Sequence, residues 1–223
     1  MSGLEVLPGV HWVEGIRCNV YVVVGEGGLT LVDTGMPGNA KRILAYVERE
    51  LGRAPGDIRT IVLTHSHTDH VGSASQLKAA TGARLVAHAV EAEYIAGRRR
   101  APLPKGPIKV ALVLAWPLVR RRPFEVDARV GEGDEVAGLR VLHVPGHTEG
   151  SIALLDPARR VLLSGDALLY SEDEGVHFHE GFSMDPDRAR ASIERFRAMD
   201  LDWVLPGHGT PVGPGASALM RRR

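Results

Sequence analysis

The sequence predicts an α/β (α+β) protein, because strand-like and helix-like patterns alternate along most of the chain. The run at residues 59–64 is β-branched and aliphatic, which is typical of a buried strand. Between Ala40 and Leu51, apolar residues recur at helical spacing, which indicates a helix with one buried face. A chain of 223 residues can form one large domain or two small ones. Since no linker long enough to divide it is evident, we expect a single domain over residues 1–223.

The first half of the chain shows the alternation most clearly. We predict strands at residues 19–25, 29–33, 59–64 and 83–87, and helices at residues 40–51, 71–80 and 90–96. The turn at residues 25–28 contains three glycines and separates the first two strands. Gly52 and Gly82 follow the first two helices, at positions where glycine commonly ends a helix.

The segment at about residues 98–123 differs from the rest of the chain. It is proline-rich at its start and then apolar with basic flanks. We predict a lid-like helical excursion from the core, which would close over a substrate pocket or form its wall and would also suit a dimer contact. A surface helix packed on the core fits this pattern equally well.

The second half returns to strands, which we predict at residues 139–144, 152–156, 160–163 and 203–205. Asp185 and Pro186 open the last clear helix, because a short acidic side chain caps a helix and proline suits its first position. Four apolar residues give this helix a single stripe: Ala189, Ile193, Phe196 and Met199.

Composition argues against several classes of function. The 27 basic residues balance the 27 acidic ones, so no overall field favours nucleic acid. Cys18 is the single cysteine, so neither an intrachain disulfide nor a thiolate metal site can form. The apolar stretch at residues 110–119 is too short to span a bilayer, and residues 1–8 lack the pattern of a secretory signal. We therefore expect a cytoplasmic protein that binds neither nucleic acid nor membranes.

Three histidines and one carboxylate crowd a run of six residues after a predicted strand: His65, His67, Asp69 and His70. Imidazole nitrogen and carboxylate oxygen are ligands that zinc and similar cations prefer. If His65 and His67 continue the extended chain, their spacing points both rings to one face. Asp69 and His70 then fall on the turn into the next helix, so one run can supply two metals. A single histidine is commonly structural, but this cluster would stay unsatisfied if buried without a cation.

Three further ligand-type residues each follow a predicted strand and stand beside glycine: His147, Asp166 and His208. Glycine at such positions lets the backbone turn tightly and lets a metal or substrate approach closely. Together with the first cluster they make seven ligand candidates, a number that suits two metals sharing a bridge.

At this point the chain resembles the metallo-β-lactamase superfamily. The run from His65 to His70 fits the signature H-x-H-x-D-H, and the three later residues follow in the expected order. Residues 31–35 also look like the end of the family's first conserved strand. The resemblance covers roughly residues 10–212. It implies an αββα sandwich, in which two mixed sheets lie face to face with helices outside and the metal site lies along one edge.

The resemblance also implies a role for each ligand candidate. The first metal would be held by His65, His67 and His147, and the second by Asp69, His70 and His208, with Asp166 bridging both. Asp33 matches a residue that orients ligands without binding metal, although a turn-capping aspartate fits the sequence as well.

Two zinc ions are the expected cofactors, and iron or manganese would also suit these ligands. Two adjacent cations would deprotonate a shared water, and the bridging hydroxide would attack an acyl carbon. Asp69 is the predicted catalytic residue, because it can bond the hydroxide and pass a proton to the leaving group. We therefore expect a binuclear hydrolase of a small ester, thioester or lactone.

The aspartate at position 166 and the absence of a signal pattern make the chain look closer to glyoxalase II, lactonases and general hydrolases than to true β-lactamases. Lactonases place a tyrosine three residues after the bridging aspartate, whereas this chain has Leu169 there and Tyr170 next to it. We predict Tyr170, His177 and His179 as candidates for the substrate pocket. A packed aromatic and two loop histidines are the alternative interpretation.

Other functions remain open at this stage. Persulfide dioxygenases carry a similar motif, but they hold one iron with two histidines and an aspartate. A nuclease fits less well because of the neutral charge, and a non-catalytic metal-bearing scaffold fits less well because the ligand set is intact. The expected partner is a small-molecule substrate, with a homodimer as a possible assembly.

Overall fold

The structure, a computed structural model, describes residues 3–100 and 122–221. The excursion that we predict at residues 98–123 falls almost entirely outside the described residues, so its lid-like helical form stays a prediction. Among the helices of the two described ranges, none combines the length and the apolar character needed to cross a bilayer.

The described residues group into two compact units. Residues 3–99 and 122–130 belong to the first unit, and residues 100 and 131–221 belong to the second. Each unit has its own sheet and its own helices. The expectation of a single domain over the whole chain stays a prediction.

The first unit is built on a mixed sheet. In its described part seven strands lie side by side in chain order: β1 (Gly3–Leu7), β2 (Val10–Val13), β3 (Val20–Gly25), β4 (Gly28–Val32), β5 (Ile58–Leu63), β6 (Arg84–His88) and β7 (Ala128–Val130). Strands β1 to β4 pair antiparallel. Strands β4 to β7 pair parallel, so their carboxyl ends lie at one edge of the sheet.

The helices of the first unit connect the parallel strands: α1 (Ala40–Arg49), α2 (Thr68–Val71), α3 (Ala74–Thr81) and α4 (Ala89–Ile95). Helix α1 buries Ile43 and Val47 on one face, as its apolar spacing predicts. These side chains join a core that includes the fully buried Leu31, Ile61 and Leu85 from three neighbouring strands. Burial of each such side chain contributes about 1.5–3 kcal/mol.

The second unit contains another mixed sheet. Its described strands follow the order β14, β11, β10, β9, β8: β8 (Glu135–Val136), β9 (Leu139–His143), β10 (Ile152–Asp156), β11 (Val161–Gly165) and β14 (Trp203–Pro206). Strands β8 to β11 pair antiparallel, whereas β11 and β14 pair parallel. A separate hairpin contains β12 (Leu169–Ser171) and β13 (Gly175–His177).

Helices α5 (Pro186–Arg197) and α6 (Ala216–Met220) lie in the described part of the second unit. The Asp185 side chain caps α5 by accepting a hydrogen bond from the Arg188 amide at 3.1 Å, and Pro186 occupies the first turn, as predicted. Phe196 lies on the buried face of α5 and packs in the core of this unit. On the same helix, the Arg195 guanidinium hydrogen-bonds Glu132 and lowers the pKa of that carboxyl.

Most predicted strands and helices are present, with ends shifted by one or two residues. The helix predicted at residues 71–80 starts later, at Ala74, because Gly72 and Ser73 separate it from α2. The Ser73 hydroxyl donates to the carbonyl oxygen of Met36 at 2.6 Å and accepts from the Ala40 amide at 3.1 Å. These two bonds tie residue 73 to the segment after β4 and favour a new helix start there.

Gly72 lets α2 approach the segment that follows β4. Its φ of −61° suits any residue, but a Cβ at this position would lie 2.4 Å from the nitrogen of Pro37 and 2.6 Å from the carbonyl carbon of Met36. Both of these neighbours are backbone atoms, so room for the added Cβ requires a shift of the backbone after β4.

We expect Gly72→Ala to lower the free energy of unfolding by about 1–3 kcal/mol, because the added methyl overpacks this contact. Urea denaturation of the purified protein measures the change. Gly27→Ala is the control, since that exposed turn position has no heavy atom within 4 Å of the added Cβ. A Gly72→Ala protein as stable as the control would contradict this account of the contact.

Candidate metal centre

The first unit brings its ligand-type residues together at the carboxyl ends of β4 and β5. Asp33 follows β4 directly, and Thr64 and His65 follow β5. Because these strands are parallel neighbours, their carboxyl ends meet at one edge of the sheet. This edge is where ligands bind in open α/β sheets.

The three histidines of the H-x-H-x-D-H run lie in contact. The ring centroid of His65 is 4.6 Å from that of His67 and 4.1 Å from that of His70. His65 and His70 are buried, whereas His67 and Asp69 are half-buried. His67 precedes the first turn of α2, which carries Asp69 and His70. The chain therefore changes from strand to helix inside the run.

Asp33 reaches this run through both carboxylate oxygens. Oδ1 accepts the Thr64 amide proton at 2.8 Å, and Oδ2 lies 2.8 Å from both the Thr64 hydroxyl and Nδ1 of His70. With Nδ1 of His70 as the donor, its Nε2 keeps a lone pair for a metal. The carboxylate does not cap its own turn but bonds residues more than 30 positions away. Its role in orienting ligands stays a proposal.

Thr34 fixes the backbone of the same histidine. Its amide and its hydroxyl each donate to the carbonyl oxygen of His70 at 2.7 Å. His70 is thus held by its main chain and by its side chain from two consecutive residues, Asp33 and Thr34. Such a residue has little freedom to turn its ring away.

Glu91 is a residue that sequence analysis missed. Its Oε2 accepts the amide proton of Ser66 at 2.7 Å, between His65 and His67, and its side chain is buried. The available signal was its position on the apolar stripe of α4, one turn before the buried Ile95. A carboxylate on a buried helix face indicates a specific partner.

The second unit also collects its ligand-type residues at one sheet edge. Strands β9 and β11 both pair antiparallel with β10, and β14 pairs parallel with β11, so β9, β11 and β14 run in one direction. His147, Asp166 and His208 each follow the carboxyl end of one of these strands. The topology therefore brings three residues together that are up to 61 positions apart in the chain.

These three side chains converge on one oxygen atom. Oδ2 of Asp166 lies 3.5 Å from Nε2 of His147 and 3.5 Å from Nε2 of His208. Two ligands of one tetrahedral zinc, each about 2.0–2.1 Å from the ion, are about 3.3 Å apart. The nitrogen–oxygen donor set and these separations therefore fit metal coordination, with Asp166 placed to serve both histidines.

Backbone hydrogen bonds hold the turns that carry these ligands. The Gly207 amide donates to the Gly165 carbonyl at 2.8 Å, which links the residues before His208 and Asp166. The carbonyl of His147 accepts from the Met184 amide at 3.2 Å. Each ligand candidate of this unit thus lies on a turn that is hydrogen-bonded to a neighbouring segment.

The substrate-pocket candidates lie on the β12–β13 hairpin and just after it. A Cβ on Gly209 would lie 3.3 Å from the Tyr170 carbonyl oxygen, so the hairpin contacts the turn that carries His208. His177 lines a groove of about 400 Å³ with Phe178 and Arg190, among other residues. His179 is exposed, with its ring 5.9 Å from that of Phe182. A role in substrate binding stays a prediction for all three.

A model of the metallo-beta-lactamase superfamily matches residues 13–208, which is most of the chain. The chain belongs to this superfamily. The resemblance on which the sequence analysis relied is therefore confirmed, and the H-x-H-x-D-H run falls within the matched region.

Several known proteins are similar to this chain over most of their length. The probable metallo-hydrolase YflN of Bacillus subtilis (strain 168) is 28% identical, over 95% of this chain and 88% of its own. The acyl-coenzyme A thioesterase MBLAC2 of Bos taurus is 30% identical, over 92% of this chain and 80% of its own. A crystal structure of TTHA1623 in a di-iron-bound form superposes with a TM-score of 0.71 at 28% identity, covering 93% of this chain and 95% of that one.

These similarities confirm the predicted fold class, in which two large mixed sheets are flanked by helices. They also confirm the predicted enzyme class. The chain is a metallo-hydrolase of the superfamily. Its cofactor is a metal, in agreement with the histidine and aspartate groups of both units.

We expect Glu91→Met to lower the free energy of unfolding of the metal-free protein by about 1–3 kcal/mol, because the buried Ser66 amide loses its acceptor. Glu91→Gln keeps an acceptor oxygen of the same reach and should lose less. Urea denaturation of the metal-free proteins provides the comparison. Equal stability of wild type and Glu91→Met would show that the Ser66–Glu91 bond does not hold this segment.

Proposed function

We propose that the protein is a binuclear metal-dependent hydrolase of a small ester, thioester or lactone. The observation that carries this proposal is the position of Asp166, whose Oδ2 lies equally close to Nε2 of His147 and Nε2 of His208. A carboxylate oxygen shared between two imidazoles suits a ligand that bridges two ions. The family match over residues 13–208 supports a metal-dependent hydrolase.

Seven residues would hold the two ions, with Asp166 shared between them. In this proposal His65, His67 and His147 hold one ion, and Asp69, His70 and His208 hold the other. Within the first unit, the ligand atoms of His65 and His67 lie within 4.8 Å of each other, as do those of Asp69 and His70. These pairs support the division of the run into two ligand groups.

Zinc is the proposed metal, since all seven ligands offer nitrogen or oxygen. Iron and manganese accept the same ligand types, and a related structure has been solved with two irons. Bound divalent cations supply Lewis acidity, because they acidify water and polarise a carbonyl oxygen.

The side chains of the first unit would prepare this site for hydrolysis. Asp33 keeps Nδ1 of His70 as a donor, so that Nε2 stays free to bind. Asp69 lies in the first turn of α2, half-buried next to His70. There its carboxylate would accept the proton of the attacking water and return it to the departing alkoxide or thiolate, as the predicted catalytic residue.

Tyr170 is the proposed contact to the substrate, because its strand lies against the turn that carries His208. His177 and His179 would contribute to the pocket from the same hairpin region. A thioester is the substrate that we favour, since the thioesterase MBLAC2 is among the relatives. The cytoplasmic location, the absence of nucleic-acid and membrane partners, and a homodimer stay predictions.

Metal content and turnover test this function together. We expect two zinc ions per chain in the purified protein by elemental analysis, and hydrolysis of at least one member of a panel of thioesters, esters and lactones. Exhaustive chelation should abolish the activity, and added zinc should restore it, because bound ions would acidify the attacking water. Full activity after metal removal would refute the proposal. One iron per chain with oxygen uptake would indicate the dioxygenase alternative.

His147→Ala should reduce kcat/KM by at least about 100-fold, because the loss of a ligand removes charge stabilisation at the reacting carbonyl. The metal content should also fall below two ions per chain. His143→Ala is the matched control, four residues earlier on β9, where the ring bonds the Glu149 carbonyl at 3.0 Å. Turnover of the His147→Ala protein at the control's rate would remove His147 from the site.

A further inference from the structure

Thr64 stands at the junction between strand β5 and the first histidine of the run. Its side chain is buried, and its hydroxyl oxygen contacts two other side chains. The oxygen lies 2.8 Å from Oδ2 of Asp33 and 3.1 Å from Nδ1 of His65. Thr64 therefore connects a buried carboxylate to a proposed metal ligand.

The direction of these two hydrogen bonds follows from a count of protons. The carboxylate of Asp33 only accepts, and it also receives the Thr64 amide and Nδ1 of His70. The threonine hydroxyl has one proton, which it must donate to Asp33 at 2.8 Å. Towards His65 the same oxygen can then only accept, so Nδ1 of His65 carries the proton. The lone pair of His65 is consequently on Nε2, the nitrogen that would bind metal.

We propose that Thr64 is a positioning residue. Its hydroxyl links the Asp33 carboxylate to Nδ1 of His65 and thereby sets the tautomer and the ring orientation of His65. This inference rests on the proposed function, in which His65 and His70 bind different ions. Asp33 contacts His70 directly but reaches His65 through the Thr64 hydroxyl. Loss of this hydroxyl should therefore weaken the ion held by His65 and leave the ion held by His70 in place.

The backbone of Thr64 allows the side chain to be tested without releasing the segment. Its amide donates to Oδ1 of Asp33, and this bond does not depend on the side chain. Thr64→Val keeps the size and the β-branch but removes the hydroxyl. Thr64→Ser removes the methyl but keeps the hydroxyl. The two variants thus separate hydrogen bonding from packing.

The experiment is a competition titration of each metal-free protein with zinc against a chromophoric chelator. We expect Thr64→Val to bind one of its two zinc ions about 10–100-fold more weakly than wild type, as is usual when a partner behind a metal ligand is lost. The other ion should bind with wild-type affinity, and Thr64→Ser should resemble wild type for both ions. Urea denaturation of the metal-free variants monitors folding separately.

A double-mutant cycle assigns the weakened ion. In a His65→Ala background, Thr64→Val should cause no further loss of zinc affinity, because the hydroxyl has no ring left to orient. In a His70→Ala background the loss should persist. The inference is overturned if Thr64→Val binds both ions like wild type, if Thr64→Ser loses as much as Thr64→Val, or if the effect survives without His65. Wild-type protein that binds fewer than two zinc ions overturns the two-metal function itself, and the inference with it.

Discussion

The arrangement of the ligand candidates in the first unit depends on the hydrogen bonds of the Asp33 carboxylate. This carboxylate accepts one backbone and one side-chain hydrogen bond from Thr64 and a third bond from His70, all at 2.8 Å. These bonds join the carboxyl ends of two parallel strands to the start of helix α2. A buried carboxylate needs such donors to offset the loss of hydration. The hydrogen bonds that stabilise the buried carboxylate are therefore the same bonds that hold Thr64 and His70 in place.

The second unit reaches a comparable result by topology. Strands β9, β11 and β14 run in one direction and carry one ligand candidate each beyond their carboxyl ends. Rigid strands fix such side chains more accurately than long loops do. Each unit thus offers a preformed group of donor atoms. Such preorganisation lowers the entropic cost of ordering the side chains when a metal binds.

Much of the fold was predictable because two of its signals are local in the sequence. These are the periodicity of apolar residues and the glycine and proline residues that end strands and helices. Strand β5 and the H-x-H-x-D-H run were visible as a β-branched stretch followed by clustered ligands. The hairpin of β1 and β2 was missed, since its residues are partly exposed and lack a clear alternation. Glu91 and Thr64 were missed because their partners depend on pairing between segments that are distant in the chain. The late start of α3 was missed for the same reason, since it depends on the hydrogen bonds of the Ser73 hydroxyl with Met36 and Ala40.

The backbone of Asp33 has φ of 62°, in the left-handed region that side chains other than glycine rarely adopt. Holding an L-residue there costs about 1–2 kcal/mol. Asp33→Gly would relieve this strain, yet it would delete the carboxylate and all three of its hydrogen bonds. At position 33 the backbone conformation therefore favours glycine, whereas the three hydrogen bonds require aspartate.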